Sequence, residues 1–514
     1  MRPLGALSLF ALLATTVSGL AIREPDAKDW YQHATFYQIY PRSFLDSNGD
    51  GIGDLAGITS KMKYLADIGI DATWLSPPFK SPLKDFGYDV SDFYAIQPEY
   101  GNLTDFDKLV EEAHKNGIKL MLDFIPNHSS DQHEWFVKSV ARDPEYSDFY
   151  VWKPPAPGGG PPNNWISVFG GSAWTFNEAR GEYYLHQFTP QQPDLYYRNP
   201  NVLAEMTKML FFWLDREWMG FRLDAINHMF EDEQFRNEPL SGWGQPGEYD
   251  SFDHIHTKDI PEVYNVGVHW RDQMDKYSAE KGPTIILMTE AYSSIEGTML
   301  YYESADKKRQ GAHMPFNFQL IYDFKKEQNA VGLKSSIDWW MNNMPARHTP
   351  SWVAGSHDHS RVASRVGLDR VDQVMTLMHT LPGTSITYYG EEHLTKLRRH
   401  RTMQSGEYVH KTVGTKVYAL LRELRGEDSF LTVLNMVGAE DTVDLGDFVN
   451  LPQKMRVEVA QPNSKSKAGN EVDISKLTLG PYDSVVLRAT VSSAAAINLS
   501  IGLLLAIMAR YIFV

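Results

Sequence analysis

Residues 220–228 read GFRLDAINH, and the architecture of this chain can be worked out from that segment. A short apolar run with Arg222 inside it and Asp224 at its end predicts a buried strand that finishes in a charged pair. Arg222 lies two positions before Asp224, so both side chains point to the same side of a strand. A nearby cation favours the ionised form of an acid and lowers its pKa. The segment therefore predicts a strand whose end carries a functional carboxylate.

Strand-like and helix-like segments alternate on both sides of this segment, which is typical of parallel βαβ units. The predicted strands are Thr35–Tyr40, Asp71–Leu75, Ile118–Phe124, Gly220–Leu223, Thr284–Met288, Pro315–Gln319, Ser351–Ala354 and Thr384–Tyr388. The predicted helices are Ile58–Ile68, Leu103–Asn116, Val202–Trp218, Ser336–Met344 and Val371–Thr380. Eight strands with intervening helices predict a (β/α)₈ barrel, an α/β fold.

The rest of the chain divides around that barrel. A Pro- and Gly-rich stretch without clear periodicity predicts a loop-rich domain inserted after the third strand, and alternating Val, Leu and Thr near the other end predict an antiparallel β-domain. The predicted divisions are a signal peptide at 1–20, the barrel at 21–128 and 200–404, the insertion at 129–199, the β-domain at 405–491 and a tail at 492–514.

Composition narrows the classes of function. The 514 residues include 49 Lys and Arg against 65 Asp and Glu, a formal charge of -16. That charge would repel phosphate backbones, so no nucleic acid is expected as a partner. The chain has no cysteine, so its stability must come from a large core rather than from disulfides, and a bound metal would add to it.

Both termini carry targeting signals. Arg2, the apolar run 4–17 and Ser18-Gly19 predict secretion, which makes Asn102 in Asn-Leu-Thr a glycosylation acceptor. The apolar run 494–508 is too short for a spanning helix, which needs about 20 residues. Small residues before it favour a GPI-attachment signal at Ser492 or Ser493, with a retained tail anchor as the alternative. The expected location is the extracellular face of the plasma membrane.

Charged residues follow several strands of the predicted barrel. In such a barrel the carboxyl ends of the strands meet on one face. The residues expected there are Asp123, Asn127, His128, Arg222, Asp224, Glu290, His357 and Asp358. A single Asp after a strand is more often a cap, but buried carboxylates from three strands are costly without paired chemistry. Two carboxyl groups across a scissile bond are what glycoside hydrolysis requires.

Seven segments in order then resemble the signature regions of the α-amylase superfamily, glycoside hydrolase family 13, across nearly the whole barrel. They are GIDATWLSP (69–77), DFIPNH (123–128), QPDL (192–195), GFRLDAINH (220–228), TEA (289–291), HD (357–358) and GTSITYYGEE (383–392). Within that superfamily the chain is similar to the membrane-bound gut maltases of insects, mosquitoes in particular.

The resemblance implies an α-glucosidase, a maltase that removes terminal non-reducing α-1,4-linked glucose from maltose and short oligosaccharides with retention of configuration. It implies Asp224 as nucleophile, Glu290 as general acid/base and Asp358 as a third catalytic carboxylate. The substrate-binding residues that it implies are Tyr88, Asp89, His128, Arg222, His357 and Arg361. The small Ala225 after the nucleophile favours α-1,4 over α-1,6 linkages among relatives.

A metal site is also expected. The run DSNGDGIGD places oxygen ligands at alternate positions around turn-forming glycines, and relatives bind a structural Ca²⁺ there. The implied ligands are Asp46, Asn48, Asp50, Asp54 and the carbonyl of Ile52. A solvated acidic turn is the alternative reading.

The chain also departs from the family pattern. Tyr196, Ser356 and Glu217-Trp218-Met219 replace common residues, and Glu391–Gln404 has room for an eighth helix but not for the long loop that relatives carry after strand eight. One rim of the cleft should then be missing. A rival reading follows: a surface-anchored binding protein with weak catalysis, for example a receptor for a bacterial toxin.

The expected partners are maltose, short α-glucans and, through a lipid anchor, a membrane. A homodimer and a toxin ligand are alternatives that the sequence leaves open. Transporter heavy chains that share the fold are disfavoured, because they have an N-terminal membrane span and lack the full set of carboxylates.

Overall fold

The computed structural model describes residues 30–392, 395–448 and 450–490. Eight parallel strands form its centre, in the order β6-β5-β4-β3-β2-β1-β8-β7 around the sheet. The strands are β1 Thr35–Ile39, β2 Ala72–Leu75, β3 Lys119–Phe124, β4 Gly220–Leu223, β5 Ile286–Thr289, β6 Met314–Pro315, β7 Ser351–Val353 and β8 Thr384–Tyr388. These strands are almost entirely buried, as expected for a sheet covered by helices on its outer face.

The barrel is nearly closed, and a side chain bridges its seam. Strands β6 and β7 are the two ends of the sheet order and share no backbone ladder. The Ser351 hydroxyl donates to the carbonyl of Pro315 at 2.9 Å, and the Asn317 amide donates to the same hydroxyl oxygen at 3.2 Å. This seam is where the prediction of a strand at Pro315–Gln319 was wrong, because only Met314 and Pro315 pair with β5.

Helices surround the barrel. The α-helices are Pro41–Phe44, Leu55–Ser60, Met62–Ile68, Leu103–Lys115, Glu134–Val140, Pro200–Leu214, Glu262–Lys281, Ile295–Leu300, Gln319–Asp323, Ala330–Asn343, Val362–Val366, Val371–Thr380 and Arg401–Ser405. The 3₁₀-helices are Trp30–His33, Ile226–His228, Tyr249–Ser251, Leu368–Arg370, Thr395–Arg399 and Ile474–Lys476. The single helix predicted at Ile58–Ile68 is two helices, because Lys61 bonds to the carbonyl of Ile58 and closes the first one in a tight turn.

Two segments cover the carboxyl ends of the strands. The inserted segment holds a three-stranded antiparallel sheet of Trp152–Lys153, Trp174–Asn177 and Glu182–Leu185. A hairpin of Phe79–Lys80 and Asp92–Ile96 precedes it. The second segment is the long loop 229–261 after β4, and it is hydrogen-bonded to the insertion. Asn164 donates to the carbonyl of Glu238 at 2.9 Å, and the Trp165 indole donates to the carbonyl of Arg236 at 2.8 Å.

The connection after β8 is short. The sequence leaves room for an eighth helix over Glu391–Gln404, but the described residues from 395 onward form a 3₁₀ segment and one helical turn. Two buried guanidinium groups hold it against the barrel. Arg398 donates to the main-chain oxygens of His379, Leu381 and Gly383. Arg422 donates to those of Thr380, Thr402, Met403 and Gly406. The C-terminal carbonyls of the helix Val371–Thr380 and of the turn after it thereby gain charged donors.

A six-stranded antiparallel sheet completes the described chain, in the order β9-β10-β11-β14-β12-β13. Its strands are β9 Glu407–Val413, β10 Val417–Glu423, β11 Ser429–Asn435, β12 Lys454–Ala460, β13 Glu471–Asp473 and β14 Ser484–Ala489, with a separate pair at Asp441–Val443 and Leu477–Leu479. The sheet bonds to the barrel where His410 meets Asp338, with 2.8 Å between Nε2 and Oδ1. In the part of the chain that is described, no helix has the length and apolar character needed to cross a membrane.

Candidate active site

One arginine gathers three carboxylates at the ends of β3, β4 and β5. Arg222 Nη1 lies 2.7 Å from both carboxylate oxygens of Asp123 and 2.8 Å from Oδ1 of Asp224. Its Nη2 lies 3.7 Å from Oε1 of Glu290. All four side chains are buried. Buried ions are costly unless they are paired in this way, so the cluster is a feature that packing alone would not select.

The chain turn after the β4 strand links two of these carboxylates. Ala225 adopts a left-handed conformation, with φ 46°, which a residue with a side chain rarely takes. Its N–H donates to Oε2 of Glu290 at 2.8 Å. The strained residue thus ties the end of β4, with Asp224, to the side chain that follows β5, and such strain is typical of functional sites.

Burial and the shared cation set the protonation of the pair. Burial raises the pKa of Asp224 above its ordinary value, and Arg222 opposes that rise. Burial also raises the pKa of Glu290, to about 7, and the charge of Arg222 again opposes that rise. Because the guanidinium is 2.8 Å from Asp224 but 3.7 Å from Glu290, the geometry favours a proton on Glu290 and a charge on Asp224.

These groups face a cavity of about 550 Å³. Asp224, Glu290 and Asp358 supply carboxylates to its wall, and Tyr40, Tyr88, Phe169, Phe188, Tyr292 and Tyr322 supply aromatic rings. Volumes of this order hold small organic ligands. The mixture of charged hydrogen-bonding groups with aromatic faces suits a hydroxylated ring that has one apolar side.

His357 forms the floor with two tyrosines. Its ring stacks on Tyr88, with centroids 5.4 Å apart and planes 8° apart, and on Tyr40 at 5.5 Å and 22°. Its Nε2 is 3.2 Å from Oδ1 of Asp358. Burial lowers the pKa of His357 to about 4, so the ring is neutral near pH 7.

His128 also lines the cavity and is neutral. Its Nε2 lies 3.2 Å from the carbonyl of Tyr88 and 3.0 Å from the Gln192 amide nitrogen. Burial lowers its pKa to about 3. The preceding Asn127 is fully buried and lies 3.1 Å from Asp194, so a glycan cannot attach there.

Three of the residues expected to bind substrate do not line the cavity. Arg222 lies behind the carboxylates that it pairs with, and Asp89 and Arg361 are held elsewhere. The carboxylate of Asp89 is buried in its own loop, where it accepts from the Ser81 hydroxyl at 2.8 Å and from the backbone N–H groups of residues 84 and 85. Arg361 lies over the rings of Tyr388 and Tyr389 at 4.4 and 4.5 Å. Neither residue is part of the cavity wall. Asp89 shapes the loop, and Arg361 packs on the end of β8.

The cavity wall includes a carboxylate that the sequence reasoning missed. Asp85 lines it, and Gln192 donates to its Oδ2 at 2.8 Å. Burial raises the pKa of Asp85 to about 6. The sequence could have pointed to Asp85 through its position three residues before Tyr88. Both lie on the loop whose backbone N–H groups donate to Asp89. The loop can turn there because Gly87 has φ 115°, and a side chain would meet the carbonyl of Pro77.

The loop from Asp46 to Asp54 is held mainly by its own amides. Asp46 accepts from the N–H groups of residues 48, 49 and 51, and these bonds lower its pKa. The Asp50 carboxylate accepts from the N–H of Ile52, and the side-chain oxygen Oδ1 of Asn48 accepts from the N–H of Asp50. Asp54 caps the helix Leu55–Ser60. The oxygen donors suit Ca²⁺ in kind. Among the described residues, however, no group of three or more His, Cys, Asp or Glu side chains is arranged to hold a metal.

The remaining predicted sites are peripheral. Asn102 is exposed and caps the helix Leu103–Lys115 through its side-chain oxygen. Glycosylation there stays a prediction. Ser492, Ser493 and the predicted signal peptide lie outside the described residues.

A (β/α)₈ barrel with paired carboxylates, a shared arginine and a cavity at its strand ends defines a glycoside hydrolase. A family model described as Alpha amylase, catalytic domain, matches residues 38–421. This protein therefore belongs to the α-amylase family.

Similar proteins agree with that assignment. The α-glucosidase of Culex pipiens is 85% identical over 580 aligned positions that span 100% of both chains. The alignment exceeds the 514 residues here, so that relative has residues that this chain lacks. Maltase 1 of Drosophila virilis is 41% identical over 90% of this chain and 87% of its own. The crystal structure of the α-glucosyl transfer enzyme XgtA covers 91% of this chain and 100% of its own, with a TM-score of 0.77 and 28% identity.

Proposed function

We propose that this protein is an α-glucosidase, a maltase that removes terminal non-reducing α-1,4-linked glucose from maltose and short oligosaccharides. The observation that carries the proposal is the cluster of Asp123, Asp224 and Glu290 on Arg222, which opens on a cavity able to hold a sugar. The names of the Culex and Drosophila relatives support it.

We propose that the two carboxyl groups act by a double displacement with retention. In the first step Asp224 forms a bond to the anomeric carbon, the glycosidic C–O bond breaks, and Glu290 gives its proton to the leaving oxygen. In the second step Glu290 takes a proton from water, whose oxygen attacks the anomeric carbon and releases Asp224. Glu290 suits both steps, because a pKa of about 7 lets it give and regain a proton near neutral pH.

Substrate binding is assigned to the groups around the floor. Asp85, Asp358 and His128 can bond sugar hydroxyls, His357 holds Asp358 through Nε2, and Tyr88 offers an aromatic face. Ala225, beside the nucleophile, leaves room for the linkage. We infer the α-1,4 preference from that small side chain.

Glucose release by the soluble ectodomain tests the proposal. Maltose and a nitrophenyl α-glucoside serve as substrates, with Asp224→Asn and Glu290→Gln as matched, nearly isosteric controls. We expect the parent to exceed both variants by at least about 10³-fold with maltose. A parent no faster than Asp224→Asn would overturn the proposal.

The rival reading as a surface-anchored binding protein is not favoured. It rests on the short connection after β8, but the carboxylate cluster is assembled without any contribution from that connection. The same assay separates the two readings, because a toxin receptor would not require turnover.

Calcium binding by the loop Asp46–Asp54 is a separate proposal, supported by the chemistry of its oxygens. Those side chains would hold the ion together with the carbonyl of Ile52, and the ion would stabilise the loop after β1. At a concentration 100 times its Kd, a bound ion stabilises the native state by about 2.7 kcal/mol. Removal by a chelator should lower the Tm, and addition of Ca²⁺ should restore it. An Asp46→Asn variant whose Tm responds as strongly as that of the parent would contradict this assignment.

Secretion and lipid anchoring at Ser492 or Ser493 are also proposed, on the sequence alone. Release of the protein from cells by a phospholipase specific for GPI anchors would support them. Retention after that treatment would favour the tail anchor.

A further inference from the structure

The His357 ring is held at both nitrogens. Its Nδ1 lies 2.8 Å from the side-chain amide nitrogen of Gln38 on β1. Its Nε2 lies 2.7 Å from the Tyr88 hydroxyl and 3.2 Å from Oδ1 of Asp358. A neutral imidazole has one hydrogen, so each contact restricts which nitrogen carries it.

The hydrogens can be assigned from the acceptors. The Tyr88 hydroxyl donates its single hydrogen to Oδ2 of Asp123 at 3.0 Å, a carboxylate held by Arg222. The hydroxyl oxygen can then only accept from His357 Nε2. Oδ1 of Asp358, which meets the same nitrogen, is also an acceptor. Nε2 therefore carries the hydrogen, Nδ1 is bare, and Gln38 must present its NH₂ group to Nδ1.

We propose that Gln38 is a positioning residue that fixes His357 in the tautomer with its hydrogen on Nε2. The proposal rests on the proposed function only for its effect on catalysis. In the other tautomer, a lone pair of Nε2 would face both the Tyr88 oxygen and the Asp358 carboxylate, and Asp358 would lose a donor that orients it. The Gln38 amide therefore affects catalysis through His357 and Asp358, without touching substrate itself.

The remaining contacts of the Gln38 amide fit this orientation. Its Nε2 also donates to the Ser76 hydroxyl, at 3.3 Å. Its Oε1 and the indole nitrogen of Trp74 have no protein partner among the described residues. Gln38 and Trp74 line the same cavity of about 10 Å³, close to the size needed for one water molecule. A water there would accept from the indole and donate to Oε1, which is compatible with an amide nitrogen that faces His357.

A negative charge at position 38 should change the protonation of His357, because several charged and titratable groups already face the ring. They are Tyr40, Tyr88, Asp123, Arg222, Asp358 and His359. In Gln38→Glu the side chain has the same shape but, when ionised beside the ring, only acceptors, so Nδ1 must gain a hydrogen to keep its contact. The ring is then protonated on both nitrogens near neutral pH.

The test is ¹⁵N NMR of protein labelled at histidine, with His357→Asn used to assign the signals of His357. We expect the parent to show an unprotonated Nδ1 and a protonated Nε2 across pH 6–8. Gln38→Glu should show both nitrogens protonated at pH 7. Ser76→Ala, which loses only the 3.3 Å contact, should match the parent.

Kinetics give the second readout. Gln38→Leu should lower kcat/KM for maltose about tenfold, because a buried acceptor loses its donor, and Gln38→Glu should add an ionisation to the pH profile. A purely structural role would leave that profile unchanged. A protonated Nδ1 in the parent would overturn the proposal even if no variant folds. An inactive parent with the expected spectrum would sink the maltase proposal and leave this one standing.

Discussion

Arg222 and Arg398 are both almost completely buried, but the protein surrounds them differently. Arg222 stands among carboxylates at the carboxyl ends of the strands, and these raise its pKa well above the ordinary value against the effect of burial. Arg398 stands among main-chain oxygens behind β8, and burial lowers its pKa to about 10. The carboxylates around Arg222 form a reactive site. The main-chain carbonyls around Arg398 instead join two segments of the fold. Arg361, which lies on the faces of two tyrosines, is a third and weaker case.

The largest effect should come from Arg222. Arg222→Met leaves three buried carboxylates without their cation, so Asp224 takes up a proton and ceases to be a nucleophile. We expect kcat/KM for maltose to fall by about 10³-fold or more and stability to fall by about 3–5 kcal/mol. Steady-state kinetics and urea unfolding measure the two. Arg222→Lys keeps the charge but loses the fork-shaped contact, and it should recover stability more than activity. Full activity in either variant would break the contrast between the two arginines.

The next effect is on the pH profile, because Arg222 neutralises Glu290 incompletely at 3.7 Å. The raised pKa of Glu290 means that the acid form is present below about pH 7 and is lost above it. We expect kcat/KM for maltose to fall about tenfold for each pH unit above that value. A nitrophenyl α-glucoside needs less protonation of its leaving group, so its alkaline limb should be flatter. Identical limbs for the two substrates would argue against Glu290 as the acid.

Arg398 should affect stability and leave turnover alone. Arg398→Met removes donors from the carbonyls behind β8, and we expect it to lower the unfolding free energy by about 2 kcal/mol. The kcat of the folded variant should stay within about twofold of the parent. Arg399→Met is the matched control, since Arg399 makes one exposed contact to the carbonyl of Ala66. Equal destabilisation by both changes would contradict the role given to Arg398.

Arg361 should give the smallest effect. Arg361→Met loses its contacts with two rings, each worth about 0.5–1 kcal/mol, and the hydrogen bond that its guanidinium donates to the carbonyl of Tyr389. Because Arg361 does not line the cavity, the KM for maltose should change less than about threefold. A large rise in KM would restore Arg361 to the substrate-binding set that the sequence suggested.

The same contrast explains what the sequence could predict. The barrel was predictable because each strand is a short buried run, and Asp224 and Glu290 were predictable because they follow such runs. The helix Glu262–Lys281 carries apolar residues at helical spacing, Val263, Val266, Trp270 and Met274, but it was missed among many polar neighbours. The break between the two helices at Lys61 depends on a single tight turn, and the spacing of apolar residues along the sequence does not indicate it.

Site details that depend on loop conformation were harder. Asp85 and Asp89 lie on one loop, and only the fold determines which carboxylate faces the cavity and which holds the loop. The sequence shows that the stretch after Glu392 is basic, but not that Arg398 and Arg399 in it donate to carbonyls far away in the chain. The hydrogen bonds between the insertion and the loop 229–261 join residues far apart in the chain and leave no local signal.

The most direct test is to trap the covalent intermediate. A 5-fluoro-α-glucosyl fluoride slows both displacements and should accumulate a glucosyl ester, which peptide mass spectrometry can locate. The predicted result is a label on Asp224, absent in Asp224→Asn. A label on Glu290, or hydrolysis with no ester on Asp224, would contradict the double displacement and the role of the carboxylate beside Arg222.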